Sequence, residues 1–173
     1  MPNTNHDSSD DREINRDVRR VESSETANRV RAEIEALHEF FVSWFTGAVE
    51  NDDDVFQRGF ARRFDPGFVL VPPAGTLMSL PRLTRAIREG YGQNPDFRIA
   101  IREVVLRREI GDLVLVTYEE WQRNAKASTP ADNGRAATAV FKADRVAPGG
   151  LAWLHVHECW LPREVMAAGP YDF

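Results

Sequence analysis

The stretch Leu151-Ala-Trp-Leu-His-Val-His-Glu-Cys-Trp-Leu-Pro162 alternates bulky apolar residues with His, Glu and Cys on both parities. Successive side chains of a strand point to opposite faces, so one face here carries Leu154, Val156, Glu158 and Trp160. The other carries Trp153, His155, His157 and Cys159. Neither face is purely solvated, and such a strand belongs in the middle of a curved sheet. One face lines a cavity and the other packs against something else.

Upstream, Pro148-Gly149-Gly150 makes the turn into this strand, and residues 136–146 read as the strand before it. Residues 124–135, with Pro130 and Asn133-Gly134, form a polar loop. Gly111-Asp112 is a two-residue hairpin signal, so the strands over 97–110 and 113–123 pair antiparallel. As one straight strand, residues 97–110 would run ~45 Å, too long for a compact domain, so a bulge and a strongly curved sheet are expected.

The helices come earlier. Val30, Ile34, Leu37, Phe41, Trp44 and Ala48 recur at spacings of four and three, widened by Phe40 and Phe45, which predicts a long amphipathic helix. Asn51 and Asp52 to Asp54 supply a cap and first-turn negative charge for a second helix carrying Val55, Phe56, Phe60 and Phe64, stopped by Asp65-Pro66-Gly67. Short strands over 68–71 and 76–78 flank the turn Pro72-Pro73-Ala74-Gly75. Ser79 caps a third helix that tolerates Pro81 in its first turn and ends before Gly92 and Pro95.

The chain has 173 residues, 42% of them hydrophobic, enough for one packed domain. Residues 1–25 hold seven acidic and four basic side chains, which leaves only −2 of the formal charge of −5 for the body. That body has no electrostatic footprint for nucleic acid. The first 24 residues offer only Ile14, Val18 and Val21 to bury. The expected organisation is a disordered polar tail over 1–27, one domain over 28–165 and a C-terminal tail over 166–173. One cysteine, Cys159, rules out an internal disulfide, and no apolar run reads as a signal peptide or membrane span, so a cytoplasmic protein is expected.

Helices followed by long antiparallel strands resemble the nuclear-transport-factor-2-like (SnoaL-like, cystatin-like) α+β cone. The ending Trp153-Leu-His-Val-His-Glu-Cys-Trp160 is similar to that of the calcium/calmodulin-dependent protein kinase II association domain and its small bacterial relatives. Phe68-Val-Leu-Val-Pro-Pro-Ala-Gly75 and Tyr118-Glu-Glu-Trp121 extend the likeness, which covers roughly residues 28–162. It implies a curved antiparallel sheet wrapped around the long helix, with Tyr118, Glu120, Phe141, Glu158 and Trp160 on the concave side and Phe41 and Trp44 closing the cone. Where the association domain carries arginines for a carboxylate ligand, this sequence has Glu120, Ala139 and Trp160, none basic. A neutral or cationic ligand, aromatic or polycyclic, is expected instead.

Two functions from different classes fit these residues. One is a ligand-binding domain that uses no cofactor. The other is a cofactor-free isomerase, cyclase or dehydratase in which Glu120 or Glu158 serves as acid or base and Tyr118 as hydrogen-bond donor. Either glutamate can instead pair with Arg98, Arg102 or Arg135 as structure. His155, His157 and Cys159 have a spacing that metal sites use, but no carboxylate joins their face, and the expectation is no metal. Trp121 and Trp153 share the outward parity and are large for a solvated surface, which points to a homodimer built on the convex face.

Overall fold

The computed structural model describes residues 10–173, with side chains from Ser24 onward. No Gly or Pro interrupts the first helix, α1 (Asp10–Thr46). Its stripe of Val30, Ile34, Leu37, Phe40 and Trp44 is buried, as the spacing requires. Of the tail expected to be disordered, residues 1–9 lie outside the described residues, and from Asp10 the backbone is helical. Thr26, ahead of the apolar stripe, is buried and donates to Glu109 at 3.1 Å, a polar contact that hydrophobic periodicity cannot signal.

Asp52 caps α2 (Asp53–Gly59), its carboxylate accepting from the Val55 amide at 3.1 Å. A single 3-10 turn, Ala61–Arg63, follows, and β1 (Phe64–Val71) begins earlier than expected. Pro66 and Gly67 fall within a register shift of that strand instead of in a loop. Then come β2 (Met78–Ser79), α3 (Leu80–Glu89), β3 (Arg98–Ile110), β4 (Leu113–Arg123), β5 (Asn133–Ala143), β6 (Leu151–Trp160) and α4 (Arg163–Ala168). The sheet order is β2-β1-β6-β5-β4-β3, with β1 and β6 parallel and the other neighbours antiparallel. Gly111, at φ 62°, makes the β3–β4 turn in the left-handed region that glycine favours.

Curvature comes from bulges. β3 shifts register against β4 twice, once at Glu103, whose φ is 51°. A further bulge decides the facing of β6. Phe141 pairs with Trp153 but Val140 pairs with His155, so Leu154 is an extra residue. Beyond it, Val156 and Glu158 point into the cone. Before it, Trp153 also points in, against the outward facing expected of it. Trp153 is 1% exposed, its ring lies 4.4 Å from Phe141, and its indole N–H donates to the buried Glu33 at 3.0 Å.

Trp121 does lie on the outer face, but the C-terminal residues cover it. The Tyr171 ring stands 5.6 Å from it, Arg123 donates to the Phe173 carbonyl at 2.8 Å, and Arg102 pairs with Asp172 at 3.4 Å. Both tryptophans behind the expected dimer contact are therefore covered within one chain. Among the described residues no helix is long and apolar enough to cross a membrane.

Candidate functional site

A cavity of about 160 Å3 lies between the inner face of the sheet and α1. Its walls are mostly apolar, with Phe41 and Phe45 from α1, Phe64 and Phe68 from β1, and Leu83 and Ile87 from α3. One end is polar, and strand register builds it. Tyr118, Ala137 and Glu158 form one row across β4, β5 and β6, while Glu120, Arg135 and Trp160 form the next. Strands lie ~4.8 Å apart, so the phenol and the Glu158 carboxyl arise from positions ~10 Å apart, with only a methyl group between them. That alanine leaves open space above the sheet.

Arg135 organises the polar end. Its guanidinium donates to Glu158 at 3.1 Å, to the Gln122 carbonyl oxygen at 3.0 Å, to Ser128 at 3.2 Å and to Asn133 at 3.4 Å, and it stands 4.0 Å from Glu120. Glu120 receives more. His38 lies 3.2 Å away through Nε2, and the Gln122 amide donates to the other oxygen. Glu120 and Glu158 are 4% and 7% exposed, so water does little to hold their charges.

The two carboxyls accordingly diverge. Burial pushes Glu120 up, but the His38 hydrogen bond and the charges of Arg135 and His38 outweigh it and hold the group at about 2. Burial and the negative charge of Glu120 push Glu158 up to about 7, against the pull of Arg135. Burial pulls His38 down, but Glu120 prevails and raises it. Burial and both glutamates raise Tyr118 well above an ordinary phenol, so it stays a hydrogen-bond donor.

Of the residues expected in the site, Tyr118, Glu120, Glu158 and Phe41 line this cavity. Phe141 and Trp44 do not. Both are fully buried in the core behind it, Phe141 against Trp153 and Trp44 with its N–H on the Ile87 carbonyl at 2.9 Å. Trp160 is 39% exposed and stands beside Arg135, its ring 5.2 Å from the guanidinium, outside the lining. His38 and Gln122 join the site unannounced by the strand pattern. His38 had a signal, since it falls four residues after Ile34 on the inward stripe of α1. His155, His157 and Cys159 are on the outer face, away from this cluster.

The sequence model of the sucrose-6-phosphate phosphohydrolase C-terminal family matches residues 30–162. Sucrose-phosphatase 1 of Nicotiana tabacum is 28% identical over 155 residues, covering 84% of this chain and 34% of that protein. Sucrose-phosphatase 2 of the same plant is 26% identical over 151 residues. The chain thus spans about a third of the length of these curated relatives. Among solved structures, an NTF-2 like protein of unknown function from Pseudomonas aeruginosa aligns with a TM-score of 0.65 and 26% identity, over 78% of this chain and 99% of that one. The CaMKII hub of S. rosetta aligns with a TM-score of 0.59 and 16% identity, over 78% and 95%. The fold is that of the NTF2-like proteins, and the chain belongs to the sucrose-6-phosphate phosphohydrolase C-terminal family.

Proposed function

We propose that the inner cavity of this domain holds a small, neutral, largely apolar molecule or molecular part whose polar atom meets Tyr118 and Glu158. One observation carries this: a single cavity joins aromatic walls to a polar end in which His38 and Arg135 face Glu120 and Glu158. With Glu158 pushed up to about 7, the cluster runs from neutral to one positive charge as that carboxyl gains its proton, which disfavours the cationic ligand expected from the sequence and leaves a neutral group for the cavity. An apolar cavity of ~150 Å3 admits a benzene ring, so a single ring, and not the polycyclic body also expected from the sequence, is the scale of the buried part. In the sucrose-phosphatases the matching part is a third of a longer protein. Calorimetry with phenol tests the site. Wild type should bind one equivalent, and Val156→Phe, which fills the cavity, should abolish binding with the circular dichroism unaltered. Binding indifferent to that substitution would remove the site.

A second use, proton transfer to and from the ligand, is supported by the separation of the two carboxyls, one held at about 2 and the other at about 7. Deuterium uptake by cyclohexanone in D2O is the test. Wild type should accelerate it and Glu158→Gln should not; equal rates would end the enzymatic proposal.

We further infer a homodimer through the outer face of the sheet, where Thr138, His157 and Cys159 are exposed on central strands. Its support is that uncovered face, together with neighbours of the same fold that are hub or association domains. Light scattering at micromolar concentration should give twice the chain mass.

A further inference from the structure

A second space of about 360 Å3 opens outside the inner cavity, between the turn joining α3 to β3 and the loop joining β4 to β5. The two spaces share Phe45, Ile87, Phe97, Gln122 and Arg135 as walls, so this is the mouth of the site. Its two loops are tied together. Asn94 donates to the Asn124 carbonyl at 2.6 Å, Asn124 to the Asp96 carbonyl at 3.0 Å, and Lys126 to the Gln93 carbonyl at 3.3 Å. A rim fixed in this way presents its side chains in a defined place.

The charge of that rim is one-sided. Lys126 and Arg135 line the mouth and no carboxylate does, in a chain whose formal charge is −5. Arg135 is committed to Glu158, Gln122, Ser128 and Asn133. Lys126 makes no ion pair among the described residues, and its single hydrogen bond leaves ammonium donors over. Ser128 accepts from Arg135, so its own hydroxyl hydrogen is free to donate. Ala125 and Ala127 beside them take up little room, and aromatic walls lower the local dielectric and strengthen any charge contact made there.

We propose that the mouth receives the anionic group, a phosphate monoester or a carboxylate, of a ligand whose neutral body enters the inner cavity. Lys126 and Ser128 hold the anion, and Arg135 separates it from Glu158. The inference rests on the inner cavity being a ligand site, and the experiment keeps the two apart. Phenol, phenyl phosphate and benzoate are titrated calorimetrically into wild type and Lys126→Gln at low salt. At least one of the two anions should bind about tenfold more tightly than phenol, and Lys126→Gln should remove that gain while leaving phenol unchanged. Whichever anion shows the gain identifies the group. If phenol binds as tightly as both anions, or if the gain survives Lys126→Gln, the mouth is no anion site while the inner cavity stands. If phenol fails and an anion binds through Lys126, the mouth stands and the inner cavity falls. If nothing binds, both are overturned.

Discussion

His38 touches two acceptors at once, with Nδ1 2.7 Å from the Ile34 carbonyl and Nε2 3.2 Å from the Glu120 carboxyl. A carbonyl only accepts, so Nδ1 carries a hydrogen, and the proton on the other side is shared between Nε2 and Glu120. The raised His38 and lowered Glu120 put that proton on the imidazole, making a buried imidazolium–carboxylate pair.

Removing His38 takes from the buried Glu120 its nearest positive charge and leaves it only the Gln122 amide and Arg135 at 4.0 Å. His38→Leu should therefore lower the unfolding free energy by about 3–5 kcal/mol in urea titrations, while the double change His38→Leu with Glu120→Leu should recover much of the loss. A single change costing less than about 1 kcal/mol would mean that the pair is not ionised.

Stability should peak near pH 5. Glu158 is raised from 4.5 to about 7, so between those values the folded state holds a proton that the unfolded state has released, and stability falls as pH rises. His38, raised above 6.5, adds a loss in the same direction as pH climbs through its folded value. On the acid side, the stabilisation from Glu120 is present above 4.5 and disappears as pH falls toward 2. Urea midpoints from pH 4 to pH 9 check this, and Glu158→Gln should flatten the decline between pH 4.5 and pH 7 specifically.

The outer covering of Trp121 is open to fluorescence. Tyr171→Ala removes the ring packed 5.6 Å from it and should red-shift the tryptophan emission at a cost of about 1–2 kcal/mol, since Tyr171 is half-buried. An unchanged spectrum would show that the C-terminal residues leave Trp121 in solution.

Gly59 packs its backbone against the ring of Phe40, where an added Cβ would collide with the ring carbons. Gly59→Ala should cost about 1–3 kcal/mol by pushing α2 off α1, measurable as a lowered melting temperature. A neutral or stabilising effect would mean that the two helices are less closely packed.

How far the sequence discloses the site differs from strand to strand. β4 pairs with β5 without interruption from Leu113 to Gln122, so period two alone places Tyr118 and Glu120 on one inward face. β6 carries the Leu154 bulge, which no residue pattern marks, and simple parity across it turns Trp153 the wrong way. The same bulge lies upstream of Glu158, whose facing survives. By sequence Arg98, Arg102 and Arg135 are equally able to pair with the glutamates, and only the register that sets Arg135 opposite Glu120 singles it out. Tyr171 follows the last strand in a stretch without periodicity, so nothing local ties it to Trp121.

Carbon-detected NMR of the Glu158 carboxyl, titrated with and without saturating phenol, probes the occupied cavity and its charge together. The Glu158 resonance should move with a midpoint near 7 in the free protein, and phenol should displace that midpoint. A midpoint near 4.5 that phenol leaves in place would contradict a water-poor ligand site between the sheet and α1.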